Sequence, residues 1–316
     1  MSLRLDAVCL GETMGQFVPT DGLGVQDSVA FALHQAGAES NVAIGLSRLG
    51  HRVAFSSRVG DDAIGRRVTA AIATSGVDTS LVRVMRDRRT GVFVKDPGGG
   101  SSVVAYYRSG SAASCLNRDD VDAALHRSPR LVHLSGITPA LSASCDDAVG
   151  YAIDRAKGIG ATVSFDVNHR PALWPGANAA RRLQELADAS DVCFVGLDEA
   201  EELWGIQDPN ELRALLPGPR ALVVKDGPRR AIAFEASGPV VVPALRVEVV
   251  EVVGAGDAFA AGFLSAFLRG RGAGDSLRSG HLLARAALLS LSDQGEAPTP
   301  SELAASIDDG SLWGIQ

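Results

Sequence analysis

The sequence predicts an α/β fold: a doubly wound, mostly parallel sheet flanked by helices, with a small β-sheet lid outside it. Three observations predict it. Short apolar runs alternate with helix-like stretches from end to end, and these runs are apolar on both faces, as in strands covered on two sides. Two segments break the alternation with β-like patterns of their own. A chain of 316 residues that is 46% hydrophobic suits one large α/β domain or two small ones. With no internal repeat and no linker, a single domain over residues 1–316 is expected.

In chain order the strand-like runs are Ala7–Leu10, Val53–Val59, Leu131–Leu134, Thr162–Phe165, Val192–Val195 and Ala221–Val224. Helical patterns cover Asn41–Leu49, Ala63–Ser75, Ala143–Lys157, Ala177–Ala189 and Pro209–Leu215, with Gly50, Gly76 and Gly158 placed as left-handed stops. Residues Gly11–Phe31 are rich in turn formers and hold no helical period. Thr90–Arg108 reads as a hairpin: Thr90–Lys95, a turn at Asp96-Pro97-Gly98-Gly99-Gly100, then Ser102–Tyr107. A lid built from 11–34 and 90–108 would cover the carboxyl ends of the strands, where ligands of such sheets bind, and exclude water.

Composition excludes several classes. Lys+Arg number 30 against 37 Asp+Glu, giving a formal net charge of -7 without a basic block. Nucleic-acid phosphates must be met by Lys and Arg, so no nucleic-acid partner is expected. No apolar run approaches the roughly 20 residues of a membrane helix. The first ten residues lack the pattern of a signal peptide. Cys9, Cys115, Cys145 and Cys193 form no CxxC pair, which argues against a zinc ribbon or redox dithiol and suits free thiols in a reducing cytoplasm.

The chemistry concentrates at Val249–Gly262. A strand-like run ends at Val253, Gly254-Ala255-Gly256 permits a tight turn, and a helix starts near Asp257 and stops at Gly270. A helix start offers unpaired N–H groups and positive partial charge, and glycines let a phosphate approach the backbone. A carboxylate at Asp257 could then accept the proton of an attacking hydroxyl while the 254–257 amides stabilise the transferred phosphoryl group. The residues alone leave two other readings open. Asp257 could be a plain N-cap. The loop could also be a truncated dinucleotide fingerprint, although Phe259 stands at its third glycine position. GxxxxGK[ST], GxSxG and HExxH do not occur, which weakens P-loop, serine-hydrolase and metalloprotease readings.

Three further stretches extend the pattern: Gln35-Ala36-Gly37-Ala38-Glu39-Ser40-Asn41-Val42-Ala43, Leu46-Ser47-Arg48-Leu49-Gly50, and Arg58-Val59-Gly60-Asp61-Asp62-Ala63-Ile64-Gly65. With Val253–Asp257 they resemble the two signatures of the PfkB, or ribokinase-like, carbohydrate kinases over most of the chain. The resemblance implies a ribokinase-like fold and ATP-dependent transfer of the γ-phosphate to a hydroxyl of a small sugar or sugar acid. It implies Mg2+ on the nucleotide phosphates, Asp257 as base, and Gly254, Ala255 and Gly256 as the anion hole. Asn41 can exchange hydrogen bonds with sugar hydroxyls, or cap its helix. Gly37 would let substrate approach the backbone.

Tyr106-Tyr107-Arg108-Ser109-Gly110-Ser111-Ala112-Ala113 and Asp166-Val167-Asn168-His169-Arg170-Pro171-Ala172-Leu173-Trp174 resemble, within that family, the 2-keto-3-deoxygluconate kinases. That acid carries a carboxylate, which arginine can bind in two-pronged fashion. The resemblance puts Tyr106 and Arg108 on the acid from the lid and Arg170 on substrate or phosphate. It puts Lys225 and Gly227 beside ATP, with Gly254 and Gly256 on the phosphate path, and His281–Gly295 beside adenine.

Four departures stand out. Glu251-Val252 replaces the family's Asp-Thr, which counts against a monovalent cation. Asn-x-x-Glu reads Gly196-Leu197-Asp198-Glu199, leaving Glu199 toward the metal and Asp198 as a candidate stand-in. Ala36-Gly37 replaces a glycine pair, and Phe93 replaces a lid tyrosine. A ribokinase- or fructokinase-like enzyme, a nucleoside kinase of the same fold and a non-catalytic sugar-binding homologue are the alternatives, with a dehydrogenase more remote. An apolar lid face could pair across a homodimer.

Overall fold

The computed structural model describes residues 4–96, 103–174, 178–250, 252–290 and 298–313. Elements are numbered along the chain. The first half holds β1 (Ala7–Leu10), β2 (Met14–Pro19), β3 (Phe31–Ala36), α1 (Ala38–Arg48), β4 (Val53–Gly60), α2 (Ala63–Thr74), β5 (Val82–Met85), β6 (Val92–Asp96), β7 (Val103–Tyr107) and α3 (Arg118–Leu125). There follow β8 (Leu131–Ser135), α4 (Ala143–Gly158), β9 (Thr162–Asp166), α5 (Asn178–Asp188), β10 (Val192–Gly196), α6 (Leu197–Trp204), α7 (Pro209–Leu215) and β11 (Ala221–Asp226). The last are β12 (Arg230–Glu235), β13 (Gly238–Pro243), α8 (Ala255–Leu268), α9 (Ala273–Leu288) and α10 (Pro300–Asp308).

The large sheet runs β13-β12-β11-β10-β9-β8-β1-β4-β5. It is parallel from β5 to β11, and β12 and β13 add antiparallel at one edge. Its central strands are largely apolar because both faces are covered, with a few buried polar residues such as His133 and Ser164 paired with each other. Phe55 and Phe194 pack with Leu46 of α1, Phe263 of α8 and Leu277 of α9. Phe165 and Leu134 pack on the other side with Val121 of α3, Val149 of α4 and Leu183 of α5. Each such fully buried side chain stabilises the fold by about 1.5–3 kcal/mol.

The expected strands and helices are present, mostly within a residue or two. Helix starts have identifiable causes: the Asp62 carboxylate accepts from Gly65 N, and Ser142 Oγ from Cys145 N. Gly50 and Gly76 take φ near +85° as stops. Gly158 does not, because α4 runs through it and Gly160 takes the left-handed turn at φ 71°. The start expected at Ala177 lies outside the described residues, whereas α1 begins three residues before Asn41.

The second sheet is small and separate, in the order β3-β2-β6-β7. β6 and β7 pair antiparallel with Phe93 opposite Tyr106. The hairpin turn at 97–102 lies outside the described residues, and β3 continues to Ala36, beyond the expected edge at 34. One expected strand is absent: the described part of Val249–Val253 is irregular. Val249, Val250 and Val252 stay half exposed or more, and Val249 and Val252 line a cavity instead of joining a sheet.

Candidate active site

A cleft of about 780 Å³ opens where the carboxyl ends of the parallel strands face the small sheet. Gly254 takes φ 84°, so the chain can turn sharply into α8. Gly254 is the N-cap, which places Ala255 and Gly256 inside the helix and Asp257 in its first turn. Asp257 is therefore not the cap. The first turn of such a helix directs amide N–H groups and positive partial charge outward, toward an anion.

Asn41 sits in the first turn of α1, whose N-cap is Gly37. Its Nδ2 donates to Asp257 Oδ2 at 2.9 Å, and Asn168 Nδ2 stands 3.5 Å from Oδ1. Both Asn41 and Asn168 are buried, and the Oδ1 of each has no hydrogen-bond partner. Two orphaned acceptors beside one carboxylate suit the hydroxyls of a polyol. Asn168 holds φ 38°, a left-handed conformation that asparagine tolerates better than most residues. A closed contact lies below: a Cβ added at Gly45 would stand 2.6 Å from Ala261 Cβ, so α1 and α8 approach closely beneath Asn41 and Asp257. Gly37 takes φ 149°, and a Cβ there would overlap the Glu12 carbonyl oxygen.

Lys225, at the end of β11, stands between the halves of the site. Its Nζ lies 3.1 and 3.2 Å from the Asp166 carboxylate oxygens and 3.6 Å from where a Cβ of Gly256 would be. Burial would lower its pKa, but the Asp166 and Glu199 carboxylates outweigh burial and hold the ammonium above its ordinary value. Beyond it lies an apolar cavity of about 750 Å³ lined by Val249, Val252, Ala255, Phe259 and Leu288. Gly227, at φ 50°, lines both spaces. His281 packs edge-on against Phe259 at 5.2 Å, and burial pulls its pKa down to about 4. The 291–295 stretch and Glu251 lie outside the described residues.

Glu199 lines the cleft, but both its oxygens are engaged by backbone, Gly196 N at 2.7 Å and His169 N at 2.9 Å. Burial raises its pKa. The Asp198 carboxylate fills the space a Cβ at Gly196 would need. Among the described residues no group of three or more His, Cys, Asp or Glu could hold a metal ion.

Arg170 is exposed at the cleft and its Nη1 donates to the His169 carbonyl at 2.9 Å. Arg108 is buried and ion-paired with Glu12. Tyr106, whose ring stands 5.5 Å from Phe93, lines the cleft from β7. The structure thus brings Gly37, Asn41, Tyr106, Arg108, Arg170, Glu199, Lys225, Gly227, Gly254, Gly256 and Asp257 to one cleft, with Ala255 on the neighbouring cavity. Sequence reasoning did not single out Glu12, Glu39, Asp166 or Asn168. The available signal was a polar side chain directly after an apolar strand, as in Phe165-Asp166.

A parallel sheet with a helix start bordering the cleft at its carboxyl edge suggests the class, and comparison gives the family. The chain belongs to the pfkB family carbohydrate kinases, phosphotransferases with a hydroxyl acceptor, whose sequence profile matches residues 4–300. It is 34% identical over 309 residues to a 2-dehydro-3-deoxygluconokinase of Bacillus subtilis, covering 96% of this chain and 95% of that protein. It is 38% identical over 275 residues to one of Thermoproteus tenax, covering 84% and 83%. A probable fructokinase-7 of Arabidopsis thaliana is 33% identical over 266 residues, covering 82% and 77%. The crystal structure of a PfkB protein from Polaromonas sp. JS666 superposes with a TM-score of 0.86 at 36% identity, covering 95% of this chain and 99% of that one. No helix among the described residues is long and apolar enough to cross a membrane.

Proposed function

We propose that this sugar kinase phosphorylates 2-keto-3-deoxygluconate with ATP. The observation that carries the reading is the pair Arg108 and Arg170 on the same cleft as Asp257 and its two orphaned acceptors. A keto-deoxy aldonic acid offers one carboxylate for the arginines and several hydroxyls for Asn41 and Asn168. The names of the Bacillus and Thermoproteus relatives support the same acid.

The adenine ring fits the apolar cavity beside Phe259, and the triphosphate would pass Gly227 and Lys225 to the start of α8. Asp257, aligned by Asn41, takes the proton of the acceptor hydroxyl as its oxygen attacks the γ-phosphorus, and the bond from that phosphorus to the β–γ bridging oxygen breaks so that ADP leaves. The amides at 254–257 and the Lys225 ammonium receive the charge on the transferred group. With no closed cage of ligands among the described residues, the acidic edge at Asp198 and Glu199 suits a divalent ion carried largely by phosphates and water, as Mg2+ is. When bound, Mg2+ neutralises charge on the phosphates. The chain would act as one domain, with 11–34 and 90–108 closing as a lid, in the cytoplasm.

A neutral ketohexose is the second reading, favoured by the fructokinase relative and by the pairing of Arg108 with Glu12. A panel of 2-keto-3-deoxygluconate, its methyl ester, fructose, ribose and adenosine, followed by ADP release, decides. Highest kcat/KM for the free acid, at least tenfold above its ester, is the expected result. Preference for fructose, ribose or adenosine would overturn the assignment.

A further inference from the structure

Four segments connect the large sheet to the small one: 11–13 and 90–91 lead in, 36–37 and 108–111 lead out. Glu12 lies in the first and approaches the other three. Its carbonyl oxygen occupies the place a Cβ at Gly37 would need, and its Oε1 lies 2.8 Å from where a Cβ at Gly91 would stand. That same Oε1 accepts from Ser111 Oγ at 2.6 Å, and Oε2 pairs with Arg108 Nη2. The Glu12 side chain is 1% exposed and that of Arg108 6%, yet both residues border the cleft. A second buried carboxylate, Glu39, lies within electrostatic reach of Arg108. Ser135 Oγ and Thr138 Oγ1 each donate to its Oε1 at 2.7 Å.

We propose that Glu12 is the positioning residue for Arg108, fixing the guanidinium so that recognition of the substrate's carboxylate depends on how the small sheet is seated. The proposal rests on the sugar-acid reading. Oε2 holds one terminal nitrogen of Arg108, and the Tyr106 ring, 5.6 Å from the guanidinium carbon, flanks the group. A buried arginine held this way loses little rotamer freedom when a second carboxylate arrives, which favours binding. Ser111 holds the other Glu12 oxygen, so the orientation passes from the 108–111 crossing to the arginine. Substituting an amide at 12 turns one Glu12 acceptor into a donor facing a donor, and the guanidinium loses its anchor.

The test compares 2-keto-3-deoxygluconate with its methyl ester, which keeps the skeleton and removes the charge. Glu12→Gln is expected to raise KM for the free acid at least tenfold. The KM for the ester and kcat for both should stay within about threefold. Glu12→Asp should recover part of the acid-to-ester ratio. Ser111→Ala leaves both charges in place and should raise KM for the acid severalfold, so it reads the same role if Glu12→Gln fails to fold. Glu12→Gln combined with Arg108→Met should be no worse on the acid than Arg108→Met alone. An unchanged acid-to-ester ratio, equal losses on both substrates, or a lower KM for the acid overturns the proposal. If the unaltered enzyme does not distinguish acid from ester, the sugar-acid reading itself fails and takes this proposal with it.

Discussion

Replacing Asp257 with asparagine separates the base from the site around it. The amide keeps the shape and one acceptor oxygen for Asn41 Nδ2, now 2.9 Å from the carboxylate, but it cannot take a proton. General-base catalysis contributes about 10²–10⁴-fold, which at 1.36 kcal/mol per decade is about 2.7–5.4 kcal/mol of barrier. The folded state loses far less. The contact with Asn168 is already long at 3.5 Å, so its weakening costs at most about 1 kcal/mol. Asp257→Asn should therefore lower kcat by two to four decades, measured as ADP release at saturating substrates. ADP affinity by calorimetry should hold within about twofold, and Tm should barely move. Turnover within tenfold of the unaltered enzyme would refute the base. So would ADP affinity falling in step with turnover, because Asp257 would then be shaping the anion loop.

Lys225→Met should raise KM for ATP and lower kcat, and should also lower Tm, because it strands the buried Asp166 carboxylate. Breaking such a pair by removing one partner costs about 3–5 kcal/mol. Adding Asp166→Asn should restore Tm but not activity, and a Tm that stays low in the double variant would argue against the pair. Stability should fall with acidity. Burial holds His51, His133 and His281 to about 4, whereas the unfolded chain protonates them near 6.5. The unfolded state then binds more protons below pH 6.5, and stability drains as pH falls toward 4, by at most about 3 kcal/mol per residue. Glu39 and Glu199, raised by burial, oppose this in part. A urea midpoint at pH 5 equal to or above that at pH 7 would contradict the assignment of three neutral buried imidazoles.

Six parallel strands, β1, β4 and β8 to β11, were legible because cover on both faces leaves mostly apolar runs, and α1 and α2 because they stop at Gly50 and Gly76; β5, β12 and β13 lie toward the sheet's edges and were not expected. Val249–Val253 misled for the same reason. Val249 and Val252 face a cavity instead, and periodicity alone does not separate a cavity wall from a sheet core. The turn into α8 could be read because glycine, helix start and carboxylate are neighbours in the chain. Asn168 and Glu12 could not, because their meaning lies in partners 89 and 96 positions away, Asp257 and Arg108; Asp166 had a signal in its place at the end of an apolar strand, but none for its pairing with Lys225 59 positions on. Arg108 was found by its motif, but its pairing with a buried carboxylate has no signature in spacing.

Gly45 and Ala261 stand four residues after Asn41 and Asp257, about 6 Å down each helix. The touching point of α1 and α8 thus works as the joint of a caliper with two equal arms, and the jaws are the groups that would grip the acceptor oxygen. Neither the small sheet nor the arginines belong to that joint. The spacing of Asn41 and Asp257 thus follows from how closely the two helices approach at Gly45 and Ala261. Such a construction would let the side chains of the cleft's rim change while the jaws keep one opening.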